Sequence, residues 1–184
     1  MDQLVSLLGE LSGVYNIAGI EGEFAKSGEA SIANYDNVMQ VNARSVFLNM
    51  LFGIPLLVSR GGGAIVNTGS HLARHGAATL GACCASKHAV MRMTRAAALE
   101  YARDGIRVNC VCPSAVDTAM SQRVAEAIDP SDHQAGMQVL IDQAPNARLA
   151  TADEFAAVGV WLLTEAPPHI NGILVPVDGG QAAA

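Results

Sequence analysis

The sequence is poor in aromatic rings and in charge. Aromatics make up 4% and charged residues 15% of its 184 residues, against 51% hydrophobic. So little charge excludes a disordered tail or a solvated coiled coil, and so few rings argue against an aromatic stacking surface. Basic residues are the scarcer sign: 11 Lys and Arg face 17 Asp and Glu, a formal net charge of −6. Such a chain has no general attraction for phosphate backbones or anionic membranes, so nucleic acid is not an expected partner. The longest apolar stretch, 47–58, is interrupted by Asn49 and Pro55. It falls short of the roughly 20 residues a spanning helix needs, so no membrane span is expected. The first ten residues carry acids, no basic cluster and no small-residue cleavage site, and do not read as a signal peptide. The cysteines come as Cys83-Cys84 and Cys110-x-Cys112. Neighbours that close cannot staple distant loops, and a reduced, cytoplasmic setting is expected. At roughly 100–200 residues per domain, residues 1–184 read as a single domain.

What is present alternates between helical periods and short β-branched runs. Leu4, Leu7, Leu8 and Leu11 form a helical stripe over 2–11. Residues 14–18 read as a buried strand ending at Gly19. A long helix is expected over about 34–58, with Val38, Val41, Ser45 and Leu48 on one face, and Gly61-Gly62-Gly63 turns the chain. Residues 64–68 read as a strand, 82–103 as a helix closed by Asp104-Gly105, and 106–111 as a strand closed by Pro113. One or two short helices are expected in 114–147. Thr151-x-x-Glu154 is a capping-box signature for a helix through Leu163, and 173–177 reads as a last strand. Strands separated by helices imply an α/β fold, with a parallel sheet covered on both faces. Chemistry in such sheets sits where strands end. That directs attention to 16–19, 68–70 and 112–118.

Those segments resemble the short-chain dehydrogenase/reductase family. Tyr15-Asn-Ile-Ala-Gly19 resembles its Asn-Asn-Ala-Gly motif, with Ile17 for the second Asn. Val41-Asn42 resembles its catalytic Asn position. Gly63-Ala-Ile-Val-Asn-Thr-Gly-Ser70 resembles the strand leading to its catalytic Ser, and Ala85-Ser86-Lys87 the end of its Tyr-x-x-Ser-Lys motif. Arg107-Val-Asn-Cys-Val-Cys-Pro113 resembles the strand before its nicotinamide loop, Val116-Asp-Thr118 that loop, and Val177-Asp-Gly-Gly180 its C-terminal signature. Seven pieces in order imply a Rossmann-like doubly wound sheet. They also imply an oxidoreductase using NAD or NADP on a small-molecule alcohol or carbonyl, and a homodimer or tetramer. Asn42, Ser70 and Lys87 take catalytic positions by this resemblance. Asn16, Ala18, Gly19, Lys87, Pro113, Val116 and Thr118 take cofactor-binding ones.

Two departures stand beside the matches. Four residues before Lys87, where the family has its proton-donating Tyr, stands Cys83, and Ser70 fixes that register. Tyr101 is too near the far end of the helix to substitute. A Tyr oxygen reaches on the order of 4–5 Å beyond a Cys sulfur, so Cys83 is expected to be a small buried residue at a catalytic position rather than a working acid. The family also opens with a Thr-Gly-x-x-x-Gly-x-Gly turn that these residues do not contain. The first residues resemble the helix before the family's fourth strand, as if its first strands, roughly 70 residues, were absent. Losing that turn's donors to the pyrophosphate costs on the order of 5 kcal/mol. Weak dinucleotide binding is therefore expected, and a catalytically inactive, structural role is the alternative.

The remaining clusters carry less. His71 and His75 lie in a Gly-marked loop without a third ligand. The four cysteines lack a Cys-x-x-Cys, so no metal site is expected. Glu10, Glu21, Glu23 and Glu29 read as a solvated acidic edge. Residues 119–147 read as a lid-like stretch over the substrate.

Overall fold

The computed structural model describes residues 10–71 and 76–183. The helix expected at 2–11 lies almost entirely outside them. Four parallel strands, β1 (Gly13–Asn16), β2 (Gly63–Thr68), β3 (Ile106–Pro113) and β4 (Leu174–Val177), form one sheet in the order β1-β2-β3-β4. The ladders place Gly13 beside Ala64, Gly63 beside Ile106 and Cys110 beside Leu174. The two central strands are buried on both faces, as parallel strands covered by helices must be.

Helix α1 runs continuously over Ile32–Arg60, through a π-helical turn at Gln40–Arg44. Ser31 caps its first turn by accepting from the Asn34 amide, and Gly61, at φ 93°, ends it in the left-handed region. The helix passes through Asn49 and Pro55, as the expected helix over about 34–58 does, although both interrupt its apolar run. By length and composition α1 is therefore apolar enough to cross a membrane. In the fold it is a core helix: Val38, Asn42, Val46, Met50, Ile54 and Leu57 are buried along one side. That stripe runs one residue past the expected Val41 and Ser45, at Asn42 and Val46, and two past Leu48, at Met50, with the π turn adding a residue where the shift begins.

Helix α2 (Gly81–Glu100) packs beside α1. Together they cover one sheet face, burying Ile65, Val108, Cys110 and Cys112 against Val46, Met50, Leu57, Val90 and Met91. Two short helices, α3 (Ala119–Ile128) and α4 (His133–Asp142), follow β3 and pack on each other. Helix α5 (Ala152–Thr164) opens on the expected capping box between Thr151 and Glu154. It covers the other face, where Leu162 and Ala166 meet Val66 and Val111. Arg107 fastens its end by donating to the Leu162 and Leu163 carbonyls at 2.7 and 3.3 Å. The observed strands and helices match the expected ones in order and type, with β1 ending at Asn16 instead of Ala18 and β3 extending to Pro113.

Candidate active site

The C-terminal ends of β1, β2 and β3 open into a cavity of about 930 Å³. Gly19, Ser70, Cys83, Lys87, Pro113, Val116 and Thr118 all lie on its wall. Seven positions drawn from four separate stretches of sequence thus converge on one space.

Three of the expected residues are elsewhere. Asn16 is buried behind the wall, where it donates to Asn67 Oδ1 at 2.7 Å and accepts from Asn49 at 2.8 Å. Asn67 in turn donates to Thr94 Oγ1 at 2.9 Å, and Thr94 to the Val90 carbonyl at 2.8 Å. This relay joins α1, β1, β2 and α2. Ala18 is exposed and off the wall. Asn42 lies in the π turn with 1% of its surface exposed. Its amide accepts from Ile20 N and donates to Ile20 O, both at 2.8 Å, and donates to Ser86 Oγ at 3.0 Å. Asn42 therefore supports the wall through Ile20, which lies on it, and its side chain does not itself face the cavity.

Helix geometry puts Cys83 and Lys87 one turn apart on a single face. The Lys87 ammonium donates to the Thr68 carbonyl at 2.9 Å and is nearly buried. Burial lowers its pKa, and the neighbouring Cys83 and the Cys110–Cys112 pair pull the other way. Burial raises the Cys83 thiol, with Lys87 opposing, so the sulfur stays protonated at neutral pH. The Cys110 and Cys112 sulfurs lie 3.9 Å apart beneath Gly69. A Cβ at Gly69 would come within 2.8 Å of Cys110 Sγ. Among the described residues, no group of three or more His, Cys, Asp and Glu is gathered as for a metal ion.

Sequence reasoning missed two features of the wall. Tyr15 stands at its far end, its ring 6.2 Å from that of Phe155. Burial pushes the Tyr15 phenol up to about 12, with the nearby Thr68 hydroxyl pulling it back. Yet among the described residues neither hydroxyl reaches hydrogen-bond geometry with a partner. Glu21, read as part of a solvated acidic edge, is instead a wall residue paired with Arg123 of α3. Its partner lies 102 positions away, beyond the reach of any local pattern. His71 also reaches the wall, its Nδ1 lying 3.3 Å from the Pro113 carbonyl; His75 falls outside the described residues.

Known proteins share this arrangement. A family model described as enoyl-(acyl carrier protein) reductase matches residues 1–182. Levodione reductase of Leifsonia aquatica is 35% identical over 96% of this chain and 66% of its own length. Cyclohexanol dehydrogenase of an Acinetobacter species (strain SE19) is 36% identical over 97% and 67%. This chain thus spans about two thirds of the length of these curated relatives. The crystal structure of levodione reductase superposes with a TM-score of 0.96 at 34% identity, over the whole of this chain and 71% of that one. ElxO, solved with NADP bound, superposes at 0.88 with 25% identity, over the whole of this chain and 72% of that one. With its parallel sheet, its cavity at the strand ends and these relatives, the chain belongs to the short-chain dehydrogenase/reductase family.

Proposed function

We propose that the cavity holds the nicotinamide end of NAD or NADP beside an alcohol or carbonyl substrate, and that the chain serves an oxidoreductase. The observation that carries this reading is the convergence of Ser70, Lys87 and the 113–118 loop on one wall. The residues present fit such a group. Two buried hydroxyls on that wall, Tyr15 Oη and Thr68 Oγ1, lack partners among the described residues. Gly19 keeps the space beside the Lys87 ammonium clear, since a Cβ there would stand 3.3 Å from Nζ. When bound, the nicotinamide supplies or accepts a hydride. Lys87 and Thr118 would hold its ribose and carboxamide end, and the Ser70 hydroxyl would orient the substrate oxygen.

The proton that completes the alcohol reaches that oxygen through water. The Cys83 sulfur stops on the order of 4–5 Å short of where a phenol would reach, and a general acid must be within about 3 Å or act through one water. Turnover is accordingly slow. The same substitution favours a second reading, in which the chain binds nucleotide or substrate without turning it over. Saturation-transfer NMR with NADP, which detects weak binding, tests the site. Nicotinamide protons should show transfer in the native chain and lose it in Lys87→Met. Equal transfer in both would overturn the assignment.

We propose further that the chain self-associates as a dimer or tetramer. Phe47, Leu51 and Phe52 of α1 and Leu99 of α2 are each at least half exposed, and β1 presents an edge of the described sheet. Light scattering should give at least twice the 19.1 kDa chain mass. A stable monomer at micromolar concentration would overturn this.

A further inference from the structure

The part of the wall formed by the loop after β1 and by α3 and α4 is almost wholly apolar, with Ile20, Phe24, Met120, Val124, Ile128 and Leu140 facing the space. Among the described wall residues, Glu21 is the one carboxylate. It stands on the loop after β1 with its side chain 11% exposed. Arg123, half exposed on α3, grips it with two groups, Nε to one oxygen and Nη2 to the other at 3.1 Å. Burial alone would raise the Glu21 pKa, but the hydrogen bonds and charge of Arg123 outweigh it, and the carboxyl stays ionised and neutralised. The pair does two things at once. It ties α3 to the loop across the cavity, and it leaves this stretch of wall without an uncompensated charge.

We infer that this end of the cavity takes neutral, mainly apolar carbonyl compounds or alcohols, and that Glu21 and Arg123 are the residues that set this selectivity. The inference deepens the oxidoreductase reading and rests on its placing the substrate here. An ionised ligand would shed water to enter an apolar space whose one described carboxylate already has its counter-ion. Removing either partner changes that. Without Arg123 the wall carries a free carboxylate and should welcome a cation. Without the Glu21 charge, the half-exposed Arg123 guanidinium loses its counter-ion and should welcome an anion.

Three ring ketones of similar size test this by saturation-transfer NMR and titration with the full chain: cyclohexanone, 4-oxocyclohexanecarboxylate and protonated 1-methyl-4-piperidone. The native chain should bind cyclohexanone about tenfold more tightly than either ion. Glu21→Gln should bring the anion to parity or better, and Arg123→Met the cation. The exchanged pair, Glu21→Arg with Arg123→Glu, should return the native ranking and so shows that the singly changed chains are altered in charge and not in fold. Native binding of either ion as tight as that of cyclohexanone would overturn the inference. So would an unchanged ranking in both single variants, or no binding of any of the three. The readout is binding alone. If the ranking holds but NADPH never reduces cyclohexanone, the oxidoreductase reading fails and the selectivity stands. Reduction with no preference among the ketones gives the reverse.

Discussion

Two sets of polar side chains lie close together on the same elements and differ in what they bond to. Behind the cavity, Asn16, Asn49, Asn67 and Thr94 satisfy one another in an unbroken relay from α1 to α2. On its wall, Tyr15 and Thr68 bury hydroxyls without partners, and Lys87 holds an ammonium almost out of water. Asn67 and Thr68 are consecutive residues of β2 and point to opposite faces of the sheet, one into each set. The relay adds to the stability of the fold, whereas the wall residues subtract from it, and uncompensated polar groups of that kind collect where a ligand will complete them.

The difference can be broken from either side. Asn67→Ala should have the largest effect, because it leaves the Asn16 side-chain nitrogen without its acceptor and takes from the Thr94 oxygen the bond it accepts. At about 1–3 kcal/mol for each buried group left unsatisfied, a loss of about 3 kcal/mol is expected. Denaturant titration checks it, and a loss below about 1 kcal/mol would mean that water replaces the relay. Gly159→Ala comes next. The Tyr15 ring lies so close that an added Cβ would meet it at 2.3 Å. The ring must move, costing about 2 kcal/mol by overpacking, and transfer from NADP should fall with it. Lys87→Met should be the mildest and of opposite sign: the melting temperature stays level or rises while nicotinamide contact is lost. Burial holds the folded-state Lys87 below its ordinary 10.5. The cost to stability is thus full below the folded pKa and is relieved as pH rises from there toward the unfolded value. The stability difference between native chain and Lys87→Met should therefore shrink in alkaline buffer. A difference independent of pH would show that Lys87 is not burdened by its charge.

Much of this architecture was legible in the sequence. The apolar runs around Ile65, between Gly63 and Gly69, and around Val108, between Gly105 and Pro113, read as buried strands, and Thr151-x-x-Glu154 marks the start of α5 to the residue. Other features were hidden for physical reasons. A π turn leaves no composition signature, so the inner face of α1 was read out of phase, by one residue at Asn42 and two by Met50. Motif spacing places a backbone but not the direction of a side chain, so Asn16 and Asn42 were expected at the site and lie behind it. Glu21 looked solvated because its partner is far away in sequence. Cys83 was singled out by register alone, and it lies on the cavity wall with Lys87.

Cys83 is therefore where the proposed chemistry is tested most directly. The chain would be fused behind the Gly-rich first strands of a relative, to secure dinucleotide binding, and assayed for NADPH-dependent reduction of cyclohexanone with and without Cys83→Tyr. A well-placed general acid contributes about 10²- to 10⁴-fold, so the fusion carrying Cys83→Tyr should exceed the unsubstituted fusion by that margin in kcat, with dinucleotide affinity unchanged. Equal rates would contradict the account, because they would mean that proton delivery without a phenol is already as fast as with one and that position 83 has lost nothing.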